Sequence, residues 1–218
     1  MAISTIDGLL RGRELTDARS GIACRLRILL VAGAIFGAVM GAFNGVNSPR
    51  LLQMAYSAIK VPLLLSAAFF LSLPSFFVFN ALAGLREDFF SAAAAVAGAQ
   101  AVLTIVLLSV APLTGLWYFS DSNYQDAILF NGVMFGVASV AAQIALRRSY
   151  RALILRNRRH RAMLWVWLIV YVFVVIQMAW VLRPFVGAPG LPTRFFRADA
   201  FSNAYVYIAR LVGSAIAR

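Results

Sequence analysis

The clearest pattern in this sequence is a series of long apolar runs separated by short polar stretches. Five runs are long enough to cross about 30 Å of hydrocarbon as helices, which takes about 20 residues. Their approximate bounds are 28–46, 61–84, 91–116, 127–146 and 162–182. The pattern predicts an all-α polytopic transmembrane helical bundle with five spanning helices.

The segments that flank the five runs differ from them in character. Residues 1–27 are polar and charged and form a predicted N-terminal arm, and residues 28–182 form the transmembrane domain. Residues 183–218 begin with a stretch rich in proline and glycine, which interrupts helices. From Asp199 onward, apolar residues recur at helical spacing. This tail is expected to be an irregular segment followed by a short amphipathic interfacial helix.

Composition and charge place the chain in a membrane. Hydrophobic residues make up 62% and charged residues 13% of the sequence, against about 25% charged in soluble domains. The net charge of +12 comes from basic residues at the ends of the apolar runs. Basic loops favour the cytoplasmic side, which predicts a bacterial inner membrane protein with a cytoplasmic N-terminus and a periplasmic C-terminus. Arg50 and Lys60 fit less well, because they are assigned to an outer loop before the second run.

Glycine occupies every fourth position in part of the first run, at Gly33, Gly37, Gly41 and Gly45. Such residues form one stripe along a helix and let another backbone approach closely. A shorter stripe of the same kind occurs in the fourth run, at Gly132 and Gly136. We expect both stripes to pack helices, with the first and fourth runs as neighbours or in homotypic contacts. A flexible or substrate-lining groove is the alternative.

The central parts of the five predicted spans contain no Asp, Glu, Lys, Arg or His. Ionisable residues at membrane depth usually mark ion or proton pathways, so a proton-coupled pump or an intramembrane protease is not expected. Uncharged amides do occur in the runs, at Asn44, Asn80, Gln100, Asn131, Gln143 and Gln177. Hydrogen bonds between helices are their expected role. The alternative is a polar path lined by Asn80, Gln100, Asn131 and Gln143.

Candidate residues for catalysis or metal binding are few. The single histidine, His160, lies among arginines with no second His, Cys or carboxylate nearby in the sequence, and Cys24 is the only cysteine. No metal, cofactor or catalytic site is predicted, and the chain is not expected to be an enzyme. Glu87 and Asp88 precede the third run, where negative charge favours a helix N-terminus.

The loop after the fourth run is strongly basic. Its arginines are Arg147, Arg148, Arg151, Arg156, Arg158, Arg159 and Arg161. They are expected to contact anionic lipid headgroups, with an acidic soluble partner as the alternative. Nucleic-acid binding is not expected, because the arginines lie close to the bilayer on both sides of the loop.

A polar N-terminus, five spans and a second span that opens with proline in KVPLLLSAAFF resemble Yip1-like integral membrane proteins. The blocks LPSFFVFNALAGL, ILFNGVMFGVAS and LRPFVGAPGLPTRFF also resemble uncharacterised bacterial polytopic membrane proteins. The Yip1-like resemblance implies a role in membrane organisation or trafficking and supplies no catalytic motif.

Smooth helical surfaces without charge favour a role based on packing. The sequence therefore predicts a non-catalytic scaffold or accessory subunit of a larger membrane assembly, in contact with other integral membrane subunits as a hetero- or homo-oligomer. The alternative is a small channel or facilitator for a neutral or lipidic substrate.

Overall fold

The computed structural model describes residues 18–43, 45, 48–120, 123–187, 193–196 and 205–206. Within these residues, five helices are long and apolar enough to cross a membrane. They are α1 (Ala18–Gly41), α2 (Ser48–Leu82), α3 (Phe89–Ser120), α4 (Tyr124–Arg156) and α5 (His160–Leu182). The predicted all-α bundle with five potential spanning helices is confirmed.

The helices extend beyond the apolar runs that revealed them. α2 begins at Ser48 rather than near residue 61, and α4 ends at Arg156 rather than near residue 146. With 35 residues, α2 is about 52 Å long, more than the roughly 30 Å of a bilayer core. Helix therefore includes residues that the hydropathy pattern assigned to loops or to the N-terminal arm, among them Arg25 and Lys60.

Short connections make consecutive helices antiparallel. Gly84, with a φ of 74°, lies in the turn between α2 and α3, a conformation that glycine adopts without strain. Between α4 and α5, the Asn157 side chain accepts a hydrogen bond from the Arg159 amide at 3.0 Å. We call the end of the bundle where α4 meets α5 the arginine end. Residues 183–187, which follow α5, are called the strap. The end of the bundle where they lie, opposite the arginine end, is the strap end.

Packing among the five helices is uneven. α1 packs against both α2 and α3, α4 packs mainly against α3, and α5 packs mainly against α2. α3 is the most buried of the five and α5 the least. Although α4 and α5 are consecutive, they make few direct contacts. They leave the α4–α5 groove between them.

The predicted C-terminal interfacial helix falls almost entirely outside the described residues. Residues 205–206 are helical, and the Tyr205 ring stacks on Phe173 of α5 with ring centroids 4.5 Å apart. This part of the tail thus lies against α5.

Candidate functional site

The first glycine stripe lies against α2. A Cβ atom added at Gly37 would lie 2.8 Å from the carbonyl carbon of Ser57, and one at Gly41 would lie 2.7 Å from the Cα of Met54. Cβ atoms essentially never come this close to other atoms, so the spacing of α1 and α2 requires glycine at both positions. Gly33 is less constrained, because a Cβ atom there would make an ordinary contact at 3.5 Å.

Gly45 does not continue this stripe, because α1 ends at Gly41. Its φ of 101° lies in the left-handed region that glycine favours. Here the structure differs from the predicted packing role, and Gly45 is a turn residue. The first and fourth helices do touch, through an edge-to-face contact of Phe36 with Phe135, but the stripe itself faces α2.

The second glycine stripe has no close neighbour in the described part of the chain. No described atom lies within 4 Å of a Cβ atom added at Gly132 or Gly136. Both residues are exposed on α4. Gly132 also lines the strap-end cavity of the α4–α5 groove, and Gly136 lies about one turn further along α4.

A polar face of α2 holds the strap by its backbone carbonyl groups. Hydrogen bonds run from Lys60 to the carbonyl of Pro184 (2.8 Å), from Gln53 (3.0 Å) and Ser57 to that of Phe185, and from Arg50 to that of Gly187 (3.0 Å). The strap is irregular, so its carbonyl groups need donors from outside its own backbone. The α2 side chains supply these donors.

The predicted loop position of Lys60 is wrong. The residue lies within α2, is 0% exposed, and its ammonium group is 5.0 Å from the centre of the Phe195 ring. One signal in the sequence could have located it. Arg50, Gln53, Ser57 and Lys60 are separated by three, four and three residues, which places them on one face of a helix.

Lys60→Met is expected to loosen the strap. The substitution keeps an unbranched apolar stem and removes the donor to Pro184, and an unpaired buried carbonyl group costs about 1–3 kcal/mol. Hydrogen exchange measured by mass spectrometry should become faster in the peptide that covers residues 183–187. Arg27→Met removes a cation from an exposed position of α1 and is the control. Equal exchange in the two variants would contradict the strap contact.

Arg25 is a second buried cation inside a helix. It lies in α1, nearly fully buried, and donates to the carbonyl of Ala94 in α3. A Cβ atom added at Gly98 would lie 3.6 Å from its Nε atom. The small residues that open α3 therefore leave room for a guanidinium group from α1.

Asp88 connects the start of α3 to the start of α5. One carboxylate oxygen lies 3.1 Å from Nε2 of His160, and the other accepts a hydrogen bond from Arg156 at 2.8 Å. His160 is 0% exposed, with its ring edge-on to Tyr150. No carboxylate was expected near His160, because Asp88 is distant in sequence. We call Asp88, His160 and Arg156 the Asp88 latch.

The seven arginines of the basic loop fall into two groups. Arg156 pairs with Asp88, and Arg159 donates to the carbonyl of Ala83 at 3.0 Å. The other five have no hydrogen bond or ion pair to any residue that the structure describes; they are Arg147, Arg148, Arg151, Arg158 and Arg161. All five are exposed.

The four amides predicted to bond helices or to line a path are dispersed. Nδ2 of Asn80 donates to its own helix, at the carbonyl of Phe76. Nδ2 of Asn131 donates within α4 and also to the hydroxyl of Tyr118 in α3, at 2.6 Å. Gln100 is buried. Asn131 and Gln143 line two different cavities of the α4–α5 groove, one at each end. No hydrogen bond among the described residues joins any two of these amides.

Cavities lie at both ends of the α4–α5 groove. The strap-end cavity has a volume of about 440 Å³ and mostly apolar walls, including Phe135, Val175 and Val186. The arginine-end cavity has a volume of about 330 Å³ and is lined by Gln143, Arg147, Ile154, Arg161, Leu164, Trp165 and Leu168. A further cavity of about 480 Å³ adjoins it, sharing Ile154 and Arg161. These sites suit apolar chains, with cations at the arginine end.

Within the described ranges, no three His, Cys, Asp or Glu side chains form a group that could hold a metal ion. Comparisons with protein-family models, with curated proteins and with solved structures find no match to this chain. The resemblance to Yip1-like proteins stays a prediction. Function is therefore inferred from the glycine stripes, the strap and the groove.

Proposed function

We propose that this chain is a non-catalytic scaffold or accessory subunit that holds a transmembrane helix of another membrane subunit against the rim of its α4–α5 groove. The observation that carries this proposal is the open glycine stripe. Gly132 and Gly136 have no described atom within 4 Å of an added Cβ, although they repeat the spacing of Gly37 and Gly41.

The first glycine stripe, which is packed against α2, shows how a pair of glycines four residues apart can bring helices together in this fold. At Gly37 and Gly41, glycine brings two helices closer than any side chain would allow. In lipid, close backbone approach with its van der Waals contact is a main source of helix association. Gly132 and Gly136 offer the same surface on a helix with few other neighbours.

The rest of the groove rim suits an apolar partner. Exposed apolar side chains continue the glycine face of α4 in both directions, at Ile128, Leu129 and Val140. On α5, Val175 and Ala179 line the strap-end cavity. A transmembrane helix of similar composition could therefore cover α4 without leaving a buried charge unpaired.

The arrangement of the amides supports a packing role over a channel. Asn80 and Asn131 donate hydrogen bonds to backbone carbonyls of their own helices. Asn80 is 0% exposed. A conducting path would instead need polar groups that face a common lumen.

The proposed orientation puts the arginine end on the cytoplasmic side of a bacterial inner membrane. Its support is the set of five exposed arginines without described partners at that end, which basic-loop asymmetry places inside. Arg50 and Lys60 are at the strap end, but they donate to strap carbonyl groups. Their presence there has a structural reason.

Gly132→Leu combined with Gly136→Leu is expected to release the partner helix while the chain itself stays folded. Overpacking costs typically 1–3 kcal/mol per site, which corresponds to a tenfold or larger loss of association. The tagged chain is purified from its native membrane in mild detergent, and the mass of the purified complex is measured by light scattering. This mass should be lower for the double variant than for the unsubstituted chain. Two differently tagged copies expressed together distinguish self-association from a different subunit.

Val133→Leu combined with Val137→Leu is the matched control. It adds apolar bulk at the same spacing on the same helix, at exposed positions that point away from the glycines by about 100°. This variant should keep the mass of the original complex. The proposal is wrong if both double variants, or neither, lose the partner.

A further inference from the structure

We propose that the arginine-end cavity of the α4–α5 groove binds the phosphate group of an anionic phospholipid, with Arg147 and Arg161 as its principal ligands. This site is separate from the glycine rim on which the proposed function rests. It also narrows the expected lipid contact from a whole basic loop to one cavity.

Two helices contribute the cations. Arg147 comes from α4 and Arg161 from α5, and both line the same cavity with the amide of Gln143. Like charges that converge on one cavity repel each other unless an anion lies between them. Guanidinium groups bind phosphate oxygens through paired hydrogen bonds, and an amide can donate another.

The protein provides no described acceptor for either cation. Arg156 and Arg159 in the same region do have protein acceptors, namely Asp88 and the carbonyl of Ala83. Arg147 and Arg161 have no hydrogen bond or ion pair within the described ranges. The cavity therefore has donors in excess, which fits an anionic ligand.

The walls of the cavity favour a lipid over free phosphate. Ile154, Leu164 and Leu168 give it apolar sides, which a small hydrated anion does not need. Trp165 also lines it, and tryptophan prefers the boundary between headgroups and hydrocarbon. From Arg161, the residues Leu164 and Leu168 continue along one face of α5, so an acyl chain can follow the groove below the bound phosphate.

Arg147→Gln combined with Arg161→Gln is expected to weaken binding of phosphatidylglycerol by roughly tenfold or more, because it removes the paired hydrogen bonds from both guanidinium groups to the phosphate. The full chain in neutral detergent is titrated with phosphatidylglycerol, phosphatidylcholine or inorganic phosphate. Thermal unfolding is followed by a thiol-reactive dye at Cys24, the only cysteine. Of these three additives, only phosphatidylglycerol should raise the unfolding temperature of the unsubstituted chain.

Arg148→Gln combined with Arg151→Gln is the matched control. It removes the same charge from the same loop, at exposed arginines that do not line these two arginine-end cavities. This variant should bind phosphatidylglycerol as the unsubstituted chain does. Equal weakening in both double variants would mean a general charge effect and would overturn the proposed site.

Two further outcomes bear on the identity of the ligand. If phosphatidylcholine protects the chain as well as phosphatidylglycerol does, the proposal that the site selects an anionic headgroup is wrong. If inorganic phosphate protects the chain and phosphatidylglycerol does not, the proposal that the ligand is a lipid is wrong. If the glutamine variant does not fold, Arg147→Lys with Arg161→Lys replaces it. Lysine keeps the charge and loses the paired donors, so binding of phosphatidylglycerol should weaken, and unchanged binding counts against the site.

Discussion

Gly37→Ala is expected to destabilise the folded chain itself, by about 1–3 kcal/mol or more, as overpacked sites do. The added methyl group would lie 2.8 Å from the carbonyl carbon of Ser57. Backbone atoms of a packed helix cannot turn aside as a side chain can, so α1 and α2 must separate along their length. Thermal unfolding in detergent, followed by dye labelling of partly buried Cys24, should begin at a lower temperature.

Two alanine variants are controls for this substitution. Gly33→Ala lies in the same stripe, where the new Cβ atom makes only an ordinary contact at 3.5 Å, and Gly136→Ala lies where no described atom is within 4 Å. Neither should unfold at a lower temperature than the original chain, because alanine favours helix over glycine and the added methyl group fits at both positions. Equal loss in all three variants would mean that close packing at Gly37 is not the cause of the destabilisation.

The spanning helices were predictable because the bilayer limits the alternatives. A long apolar run in lipid must satisfy its backbone internally, and a helix does so. The ends of the helices were less predictable from hydropathy. Beyond the hydrocarbon core, polar residues can also be helical, and they do not stand out as part of an apolar run. The segment from Ser48 to Lys60 was therefore assigned to a loop, although its polar residues have helical spacing.

Contacts between distant segments could not be read from local spacing. The glycine pattern predicted a close-packed face on α1, but the neighbour at Gly37 is Ser57 of α2, and nothing in the local sequence names it. The contact of His160 with Asp88 joins the starts of two helices that are distant in sequence. Such pairs depend on how the helices are arranged in space.

Asp88→Ala is expected to destabilise the arginine end of the bundle by about 1–3 kcal/mol, the cost of leaving a buried polar group without its partner. His160 is 0% exposed, so Nε2 cannot readily bond water when the carboxylate is removed. Arg156→Gln should cost less, because its side chain is 70% exposed against 14% for Asp88, and exposed ion pairs contribute about 0–1 kcal/mol. Unfolding followed at Cys24 should rank Asp88→Ala below Arg156→Gln in stability.

Glu87→Ala separates this contact from the effect of negative charge at a helix start. Glu87 precedes Asp88 in the same 3₁₀ turn before α3 and is exposed, so it shares the favourable interaction with the helix dipole without contacting His160. Its loss should cost only a few tenths of a kcal/mol. The double variant Asp88→Ala with His160→Ala then measures the contact directly, since residues in contact show coupling energies of about 0.5–3 kcal/mol. Strict additivity of the two single effects would mean that Asp88 acts on α3 alone, and that the latch does not join α3 to α5.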